Sequence, residues 1–207
     1  MALRFEKINP GGNLLDAEDQ CWNLLEYTSH GERVPGNTNQ LIGNLQKSPG
    51  ATEAELRYKQ GAIQQCGKML ADTLGPAANQ WALVPIPCSK PVGHPEYDDR
   101  LQKVLEAAKV ARPDLDVRPM LETSVVRDRQ KHGPRLSVEE MRATLRVAEA
   151  YIRGPFPPNI ILFDDVFTRG TSFKAAKFLL TRLPGVVNVH GMFIAKTVYP
   201  NPGTVPP

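Results

Sequence analysis

The stretch Ile160–Leu179, IILFDDVFTRGTSFKAAKFL, decides the fold of this chain. Its apolar start ends in two carboxylates, Asp164 and Asp165, and a short loop at 166–171 then leads directly into a helix. A continuous apolar run of this kind is typical of a strand buried on both faces of a parallel sheet. Ligands of open α/β sheets bind at the carboxyl ends of the strands, so we expect the two acids to face a ligand.

The loop after the acids has the composition of an anion site. Gly170 permits a tight turn, and Thr168, Thr171 and Ser172 supply hydroxyl donors. The first turn of the following helix adds unpaired N–H groups and the positive end of its dipole. This combination suits a phosphate monoester. Acids beside such a site predict a sugar phosphate whose ribose hydroxyls donate hydrogen bonds to the carboxylates.

Three other interpretations of this stretch stay open. An apolar run ending in Asp-Asp also occurs in the Mg²⁺-binding strand of P-loop NTPases, but the chain has no G-x-x-x-x-G-K-[ST]. Phosphatases of the haloacid dehalogenase type use Asp-x-Asp-x-Thr, and here Val166 occupies the position of the second acid. A purely structural interpretation has Asp164 capping the next helix.

Outward from this stretch, apolar strands alternate with amphipathic helices. We predict strands at 81–87, 115–121, 159–163 and 186–194, and helices at 98–111, 137–152 and 171–183. A further helix starts at the capping box of Thr52 and Glu55, and 21–28 is a strand or the end of a helix. The alternation predicts an α/β fold: an open, mostly parallel sheet of about five strands with helices on both faces.

Length and composition favour one core with an appendage. The chain has 207 residues, 41% of them hydrophobic, and we divide it into an N-terminal extension at 1–51 and a core at 52–207. A net charge of +3 does not indicate nucleic acid. Three cysteines without a Cys-x-x-Cys pair, and no apolar run near ~20 residues, predict a cytoplasmic protein without disulfide, zinc site or membrane span.

The deciding stretch resembles the 5-phosphoribosyl-1-pyrophosphate (PRPP) signature of type I phosphoribosyltransferases, an apolar strand followed by Asp-Asp-Val-x-x-Thr-Gly-x-Thr. The residues that fit it are Ile161, Leu162, Phe163, Asp164, Asp165, Val166, Gly170 and Ser172. Arg169 departs from it, because the family has Thr at this position. The resemblance covers roughly residues 52 to 197 and implies the fold of that family.

Two further segments resemble parts of the same family. The segment WALVPIPCSKPVGHPEYDDRL (81–101) is similar to the Val-Pro-x-Pro segment of ComF-like members, which implies a pyrophosphate loop at Cys88, Ser89 and Lys90. The segment SVVRDRQKHGPRLSVEEMR (124–142) resembles the family's mobile basic loop. The resemblance implies a catalytic lid in which Arg127, Arg129 and Lys131 close over pyrophosphate.

The resemblance implies a transferase that uses PRPP and Mg²⁺ and passes phosphoribose to a nitrogen acceptor such as a nucleobase. The alternative is a non-catalytic protein that binds PRPP or a nucleoside monophosphate, with a regulatory or DNA-uptake accessory role of the ComF-like type. Mg²⁺ would be held through the ligand and water near the acid pair, without direct protein ligands. Residues 1–51 would supply the hood over the base, and the chain would be a homodimer. The PRPP-binding residues implied in this way are Asp164, Asp165, Val166, Phe167, Thr168, Arg169, Gly170, Thr171, Ser172, Cys88, Ser89 and Lys90.

Overall fold

The structure is a computed structural model that describes residues 3–29, 37–127 and 136–199. Its α-helices are α1 (Thr38–Leu45), α2 (Glu53–Thr73), α3 (Arg100–Ala111), α4 (Val138–Ala143) and α5 (Thr171–Leu180). Its strands are β1 (Glu6–Lys7), β2 (Cys21–Thr28), β3 (Ala82–Pro85), β4 (Asp116–Val117), β5 (Leu121–Thr123), β6 (Leu145–Val147), β7 (Asn159–Phe167) and β8 (Asn188–Val198). Among these helices none is long and apolar enough to cross a lipid bilayer.

Six strands form one mixed sheet in the order β1-β2-β8-β7-β3-β4. The neighbours from β2 through β4 pair in parallel, and β1 adds an antiparallel edge. The β7–β8 pairing runs from Asn159 opposite Asn188 to Phe167 opposite Lys196. Strands β5 and β6 form a separate antiparallel pair. The predicted α/β class with a mostly parallel sheet is therefore confirmed, with six strands where about five were expected.

The chain reverses its direction of winding between β3 and β7. From β3 it passes through α3 to β4 on one side, and from β7 it passes through α5 to β8 on the other. Crossovers between parallel strands are right-handed in almost all proteins, so these two helices lie on opposite faces of the sheet. The carboxyl ends of β3 and β7, which are neighbours, therefore border a crevice.

Each face of the sheet has its own hydrophobic core. On one face Leu45 of α1 and Leu105 of α3 pack in a cluster with Phe163 of β7. On the other face Phe173 of α5 packs in a cluster with Leu162 of β7. All five side chains are fully buried. The expectation of helices on both faces is thus confirmed.

Local sequence explains where α2 begins and how closely it packs. The side chain of Thr52 accepts from the N–H of Glu55, and the Glu55 carboxylate accepts from the N–H of Thr52 at 3.2 Å, so the predicted capping box is confirmed. Gly67 lets α2 approach α3, because a Cβ at this position would lie 2.6 Å from the Cβ of Ala107. The two helices thus form a tight layer on one face.

The N-terminal segment belongs to the same sheet and core. Strand β2 pairs in parallel with β8 from Cys21 opposite Gly191 to Thr28 opposite Val198. Leu24 of β2 is 7% exposed and belongs to the cluster that also contains Leu45. The division of the chain at residue 51 and the role of 1–51 as a hood stay predictions.

Several predicted element bounds are wrong. The helix predicted at 137–152 ends at Ala143, because Leu145 is buried opposite Thr123 in the β5–β6 pair. The strand predicted at 115–121 is divided between β4 and β5. Strand β7 continues to Phe167, so the acid pair lies within the strand and the loop before α5 is only 168–170. This shorter loop brings the acids close to the start of the helix.

Candidate functional site

The candidate site is a cavity at the carboxyl ends of β3 and β7. Its volume is about 140 Å³. Residues after β3, the end of β7 and the start of α5 all line it, and they include Pro87, Cys88, Ser89, Asp164 and Ser172. Three segments that are far apart in the sequence therefore meet at one place. This is the crevice that the reversal of winding creates.

Asp164 and Asp165 are consecutive residues of β7, but their side chains have different partners. Asp164 is partly buried and lines the cavity, and its Oδ1 accepts a hydrogen bond from the N–H of Asp165 at 2.8 Å. Asp165 is 6% exposed and contacts the layer of helices α1 to α3. The two acids therefore have different surroundings.

Asp165 accepts hydrogen bonds at both of its carboxylate oxygens. Its Oδ2 accepts from Arg100 Nε at 3.1 Å, from Arg100 Nη2 at 2.8 Å and from Gln46 Nε2 at 2.8 Å. Its Oδ1 accepts from the N–H of Val166 at 2.8 Å. A carboxylate offers about four lone-pair positions, two on each oxygen, so Oδ2 is fully engaged and Oδ1 has one further position.

The contacts of Asp165 extend into a closed, buried network. Arg100 Nη1 donates to Asp98 Oδ2 at 2.9 Å, and Lys59 Nζ donates to Asp98 Oδ1 at 2.7 Å and to the carbonyl of Lys47 at 2.7 Å. Lys47 follows Gln46, so the chain of contacts returns to its start. We name this set the Asp165 network: Gln46, Lys59, Asp98, Arg100 and Asp165. Its charged side chains are at most 10% exposed, and two cations balance two carboxylates.

The pKa values of the two acids move in opposite directions. Burial and the neighbouring Asp165 raise the pKa of Asp164 well above its ordinary value of 3.8. Burial also opposes ionisation of Asp165, but Arg100 and Gln46 outweigh it and lower the pKa of that carboxyl below 3.8. Asp165 is therefore the charged partner of Arg100, while Asp164 retains its proton to higher pH.

Helix α5 presents free amide groups beside the acids. Gly170 is its N-cap residue with φ +90°, and a Cβ there would lie 3.0 Å from the ring of Phe167. The helix begins with a hydrogen bond from the N–H of Lys174 to the carbonyl of Gly170 at 2.9 Å. The N–H groups of Thr171 and Ser172 precede that bond and point along the helix axis. The cap is a backbone glycine, so the interpretation of Asp164 as the helix cap is wrong.

The remaining residues of the deciding stretch divide between core and surface. Val166 packs against the core on the α1–α3 face, and Phe167 is 2% exposed on the other face. The hydroxyl of Thr168 lies 3.3 Å from that of Thr197. Arg169 is partly buried, and its carbonyl accepts from the N–H of Leu14 at 2.8 Å. Val166 and Phe167 therefore reach a ligand only through backbone groups.

The loop after β3 is fixed by its own contacts. Cys88 Sγ contacts the carbonyl of Lys90 at 3.2 Å and accepts from the N–H of Asp98 at 3.4 Å. Cys88 and Ser89 line the cavity, whereas Lys90 Nζ forms an ion pair with Glu96 at 3.4 Å. The loop thus brings small polar groups, rather than a cation, to the cavity wall.

Arg127 lies behind that wall. Its Nη2 donates to the carbonyl of Cys88 at 2.8 Å and to the hydroxyl of Thr123 at 3.2 Å, and its Nη1 contacts the sulfur of Met141. Burial lowers the pKa of Arg127, while Cys88 and Asp164 oppose this. Its Nε is buried without a hydrogen-bond partner among the described residues. The guanidinium therefore supports the loop after β3.

The other two residues of the predicted lid, Arg129 and Lys131, lie outside the described residues. Their role in closing over pyrophosphate stays a prediction.

Sequence reasoning missed the Asp165 network. Asp98 served only as the start of a predicted helix, and Gln46, Lys59 and Arg100 carried no motif. The one sequence signal for this network was the run of charged residues Asp98, Asp99 and Arg100 before the predicted helix. Charged side chains that become buried need partners of opposite charge. In the described ranges 3–29, 37–127 and 136–199, no group of three or more His, Cys, Asp and Glu side chains is arranged to hold a metal ion.

Comparison with protein-family models gives no match to this chain, and neither does comparison with curated proteins.

Proposed function

We propose that this protein binds PRPP with Mg²⁺ and transfers its phosphoribosyl group to a nitrogen acceptor of the nucleobase type. One observation carries the proposal: the strand-end acid Asp164, the N-terminal residue Ser172 of α5 and the loop at Cys88 and Ser89 share one cavity. A diol-accepting carboxylate, a phosphate-binding helix N-terminus and a polar loop are the groups that such a ligand requires.

The cavity is large enough to hold only one part of PRPP. About 140 Å³ is less than the ~300–1,000 Å³ of sites for drug-sized molecules. We assign the ribose ring to the cavity beside Asp164, the 5-phosphate to the amide groups at 170–172, and the pyrophosphate to the loop after β3. The anionic ends of the ligand then lie along the crevice between β3 and β7.

The proposed reaction places positive charge on the sugar and negative charge on the leaving pyrophosphate. Groups that are already oriented toward developing charge are the main source of rate enhancement in such reactions. Mg²⁺ would neutralise pyrophosphate and keep several of its waters, and Asp164, which lines the cavity, would contact it through water. Arg127 would act by holding the carbonyl of Cys88, so that the loop keeps its shape as charge develops.

We propose that the chain has the type I phosphoribosyltransferase fold and belongs to the ComF-like branch of that family. The support consists of the parallel order β2-β8-β7-β3-β4, the signature at 160–172 and the Val-Pro-x-Pro segment at 84–87.

A second candidate function follows from Arg169. The family has Thr at this position, and in this chain a longer, partly buried cation precedes Gly170 at the proposed 5-phosphate site. A guanidinium there would strengthen binding of a phosphate by a charge-assisted hydrogen bond without contributing to departure of pyrophosphate. This observation favours a protein that binds PRPP or a nucleoside monophosphate and regulates a partner.

Two measurements on the same protein test the proposal. Calorimetry with PRPP and Mg²⁺ should give saturable binding that Asp164→Asn weakens by about tenfold or more, as expected for loss of ~1.4 kcal/mol. Pyrophosphate should be released from PRPP when the acceptor base is present in a panel of nucleobases. The matched control is Asp114→Asn, an exposed carboxylate paired with Arg112, which should leave both results unchanged.

The outcomes separate the two functions. Binding with release of pyrophosphate supports the transferase. Binding without release for any base supports the regulatory protein. If PRPP does not bind, or if Asp164→Asn binds it as well as the native protein does, the proposed site is wrong.

A further inference from the structure

The Asp165 network separates the second acid of the pair from the cavity. The carboxylate of Asp165 accepts four hydrogen bonds, from Arg100, Gln46 and the N–H of Val166, all at 3.1 Å or less. To turn toward a ligand, Asp165 would have to give up its buried hydrogen bonds with the charged Arg100. Buried hydrogen bonds to charged groups are the most costly to lose.

Asp164 differs from Asp165 in its access to the cavity and in its partners. Its carboxylate lines the cavity together with Ser172. Within residues 3–29, 37–127 and 136–199 it forms no ion pair. Its Oδ1 is held by the N–H of Asp165 at 2.8 Å, so the orientation of one acid depends on the backbone of the other.

We propose that Asp164 alone of the acid pair meets the ligand, and that Arg100 and Gln46 hold Asp165 as a structural anchor that does not contact the ligand. This inference rests on the proposed function, because it names which carboxylate receives the ribose hydroxyls. Asp165 Oδ1 binds the N–H of Val166 and the Asp165 N–H binds Asp164 Oδ1. Fixing Asp165 therefore fixes the end of β7 and leaves Asp164 Oδ2 to accept from the ligand.

The same geometry engages Arg100 in the network, which uses three of its five N–H groups. Arg100 is at the cavity wall, but its Nε and Nη2 donate to Asp165 and its Nη1 donates to Asp98. The charges of the network already balance, so it adds no net positive field to the site. The opposite pKa directions of Asp164 and Asp165 agree with this division of roles.

Thermal unfolding tests the anchoring role without any ligand. Asp165→Asn leaves Arg100 short of a buried anion, and we expect its Tm to fall by about 10 °C. Asp164→Asn removes no ion pair and should leave Tm within about 3 °C of the native value or raise it. Equal losses of Tm in the two variants would overturn the proposed division of roles.

Calorimetry with ribose 5-phosphate and Mg²⁺ tests which acid meets the ligand. Asp164→Asn should weaken binding by about tenfold or more, the loss expected for a hydrogen bond to a charged group. The decisive variant is the double substitution Arg100→Met with Asp165→Asn. It removes one cation and one anion together, leaves Lys59 paired with Asp98, and keeps an oxygen at residue 165 for Gln46 to donate to.

We expect the double variant to recover part of the Tm lost in Asp165→Asn and to bind ribose 5-phosphate within about threefold of the native protein. Loss of binding in a folded double variant, as large as in Asp164→Asn, would show that Asp165 itself contacts the ligand. If the native protein does not bind ribose 5-phosphate, the proposed function fails, while the Tm comparison still decides whether Asp165 is the anchor.

Discussion

At the scale of single residues, the acid pair shows how two identical side chains acquire different chemistry. Asp164 and Asp165 are adjacent in the sequence, but Asp164 lines the cavity and Asp165 binds the buried Arg100. A charge without a partner is disfavoured by burial, and a charge with one is not. The raised pKa of Asp164 and the lowered pKa of Asp165 follow from that difference.

The raised pKa of Asp164 predicts a loss of stability as pH rises. Between the ordinary value of 3.8 and the higher folded value, the folded state binds more protons than the unfolded state, so the free energy of unfolding falls with pH in that window. Asp164→Asn lacks this loss and should gain stability relative to the native protein by about 1.4 kcal/mol for each pH unit inside the window. Urea unfolding at a series of pH values from about 3 to 8 measures the difference.

The matched control for that series is Asp72→Asn. Asp72 is 60% exposed in a surface pair with Lys68, and such pairs contribute little to stability. Its difference from the native protein should stay flat over the same pH range. A flat difference for Asp164→Asn as well would contradict the environment described for Asp164.

Some of the residues predicted for the site share a cavity, but sequence reasoning missed the residues that support them. Asp164 and Ser172 were predicted from the end of a strand and the start of a helix, and Cys88 from the resemblance of its segment to a pyrophosphate loop. The structure brings the three residues to one cavity. Gln46 and Arg100 were missed because their partner, Asp165, is 119 and 65 residues away. No local pattern specifies which buried charges meet over such separations.

At the scale of elements, local signals fixed helix starts better than helix ends. The capping boxes at Thr52 and Ser137 both form, because each depends on residues three positions apart. The helix after Ser137 was predicted to reach residue 152, but it ends at Ala143, where pairing of β6 with β5 replaces it. That pairing depends on residues more than twenty positions away, which helical periodicity cannot detect.

The turn before α5 predicts a specific effect for Gly170→Ala. Its φ of +90° is strained for any residue with a Cβ, and that Cβ would lie 3.0 Å from the ring of Phe167. We expect a loss of about 1–2 kcal/mol in the free energy of unfolding, together with weaker binding of ribose 5-phosphate, because the amide groups at 170–172 shift. Urea unfolding and calorimetry measure the two effects.

Gly61→Ala is the matched control for this turn. Gly61 is an exposed residue of α2, and a Cβ there meets nothing within 4 Å. Alanine should therefore stabilise the protein by up to about 1 kcal/mol and leave ligand affinity unchanged. If Gly170→Ala behaved in the same way as this control, the left-handed turn would not be a requirement of the site.

At the scale of the whole molecule, residues far from the deciding stretch complete its surroundings. Strand β2 covers the edge of β8, and Gln46, the residue that follows α1, donates to Asp165. Lys174 and Lys177 of α5 form ion pairs with the buried Asp19, at 2.8 Å and 2.6 Å. The N-terminal segment therefore also contacts the helix on the second face of the sheet. From the sequence we predicted that residues 1–51 form an extension, because their apolar runs are short and separated by loop-forming residues.

These contacts predict that a chain beginning at residue 52 does not fold. Loss of the first 51 residues would expose the edge of β8 and remove Leu24, Ile42 and Leu45 from the core cluster. Each of these buried side chains contributes about 1.5–3 kcal/mol, so their combined loss is comparable with the ~5–15 kcal/mol by which a domain is stable. Circular dichroism of the 52–207 chain should show no cooperative thermal transition, and co-expression with residues 1–51 as a separate chain should restore one, because β2 needs only to pair with β8. A cooperative transition in the 52–207 chain alone, with ribose 5-phosphate still bound, would instead mean that the first 51 residues are a removable extension.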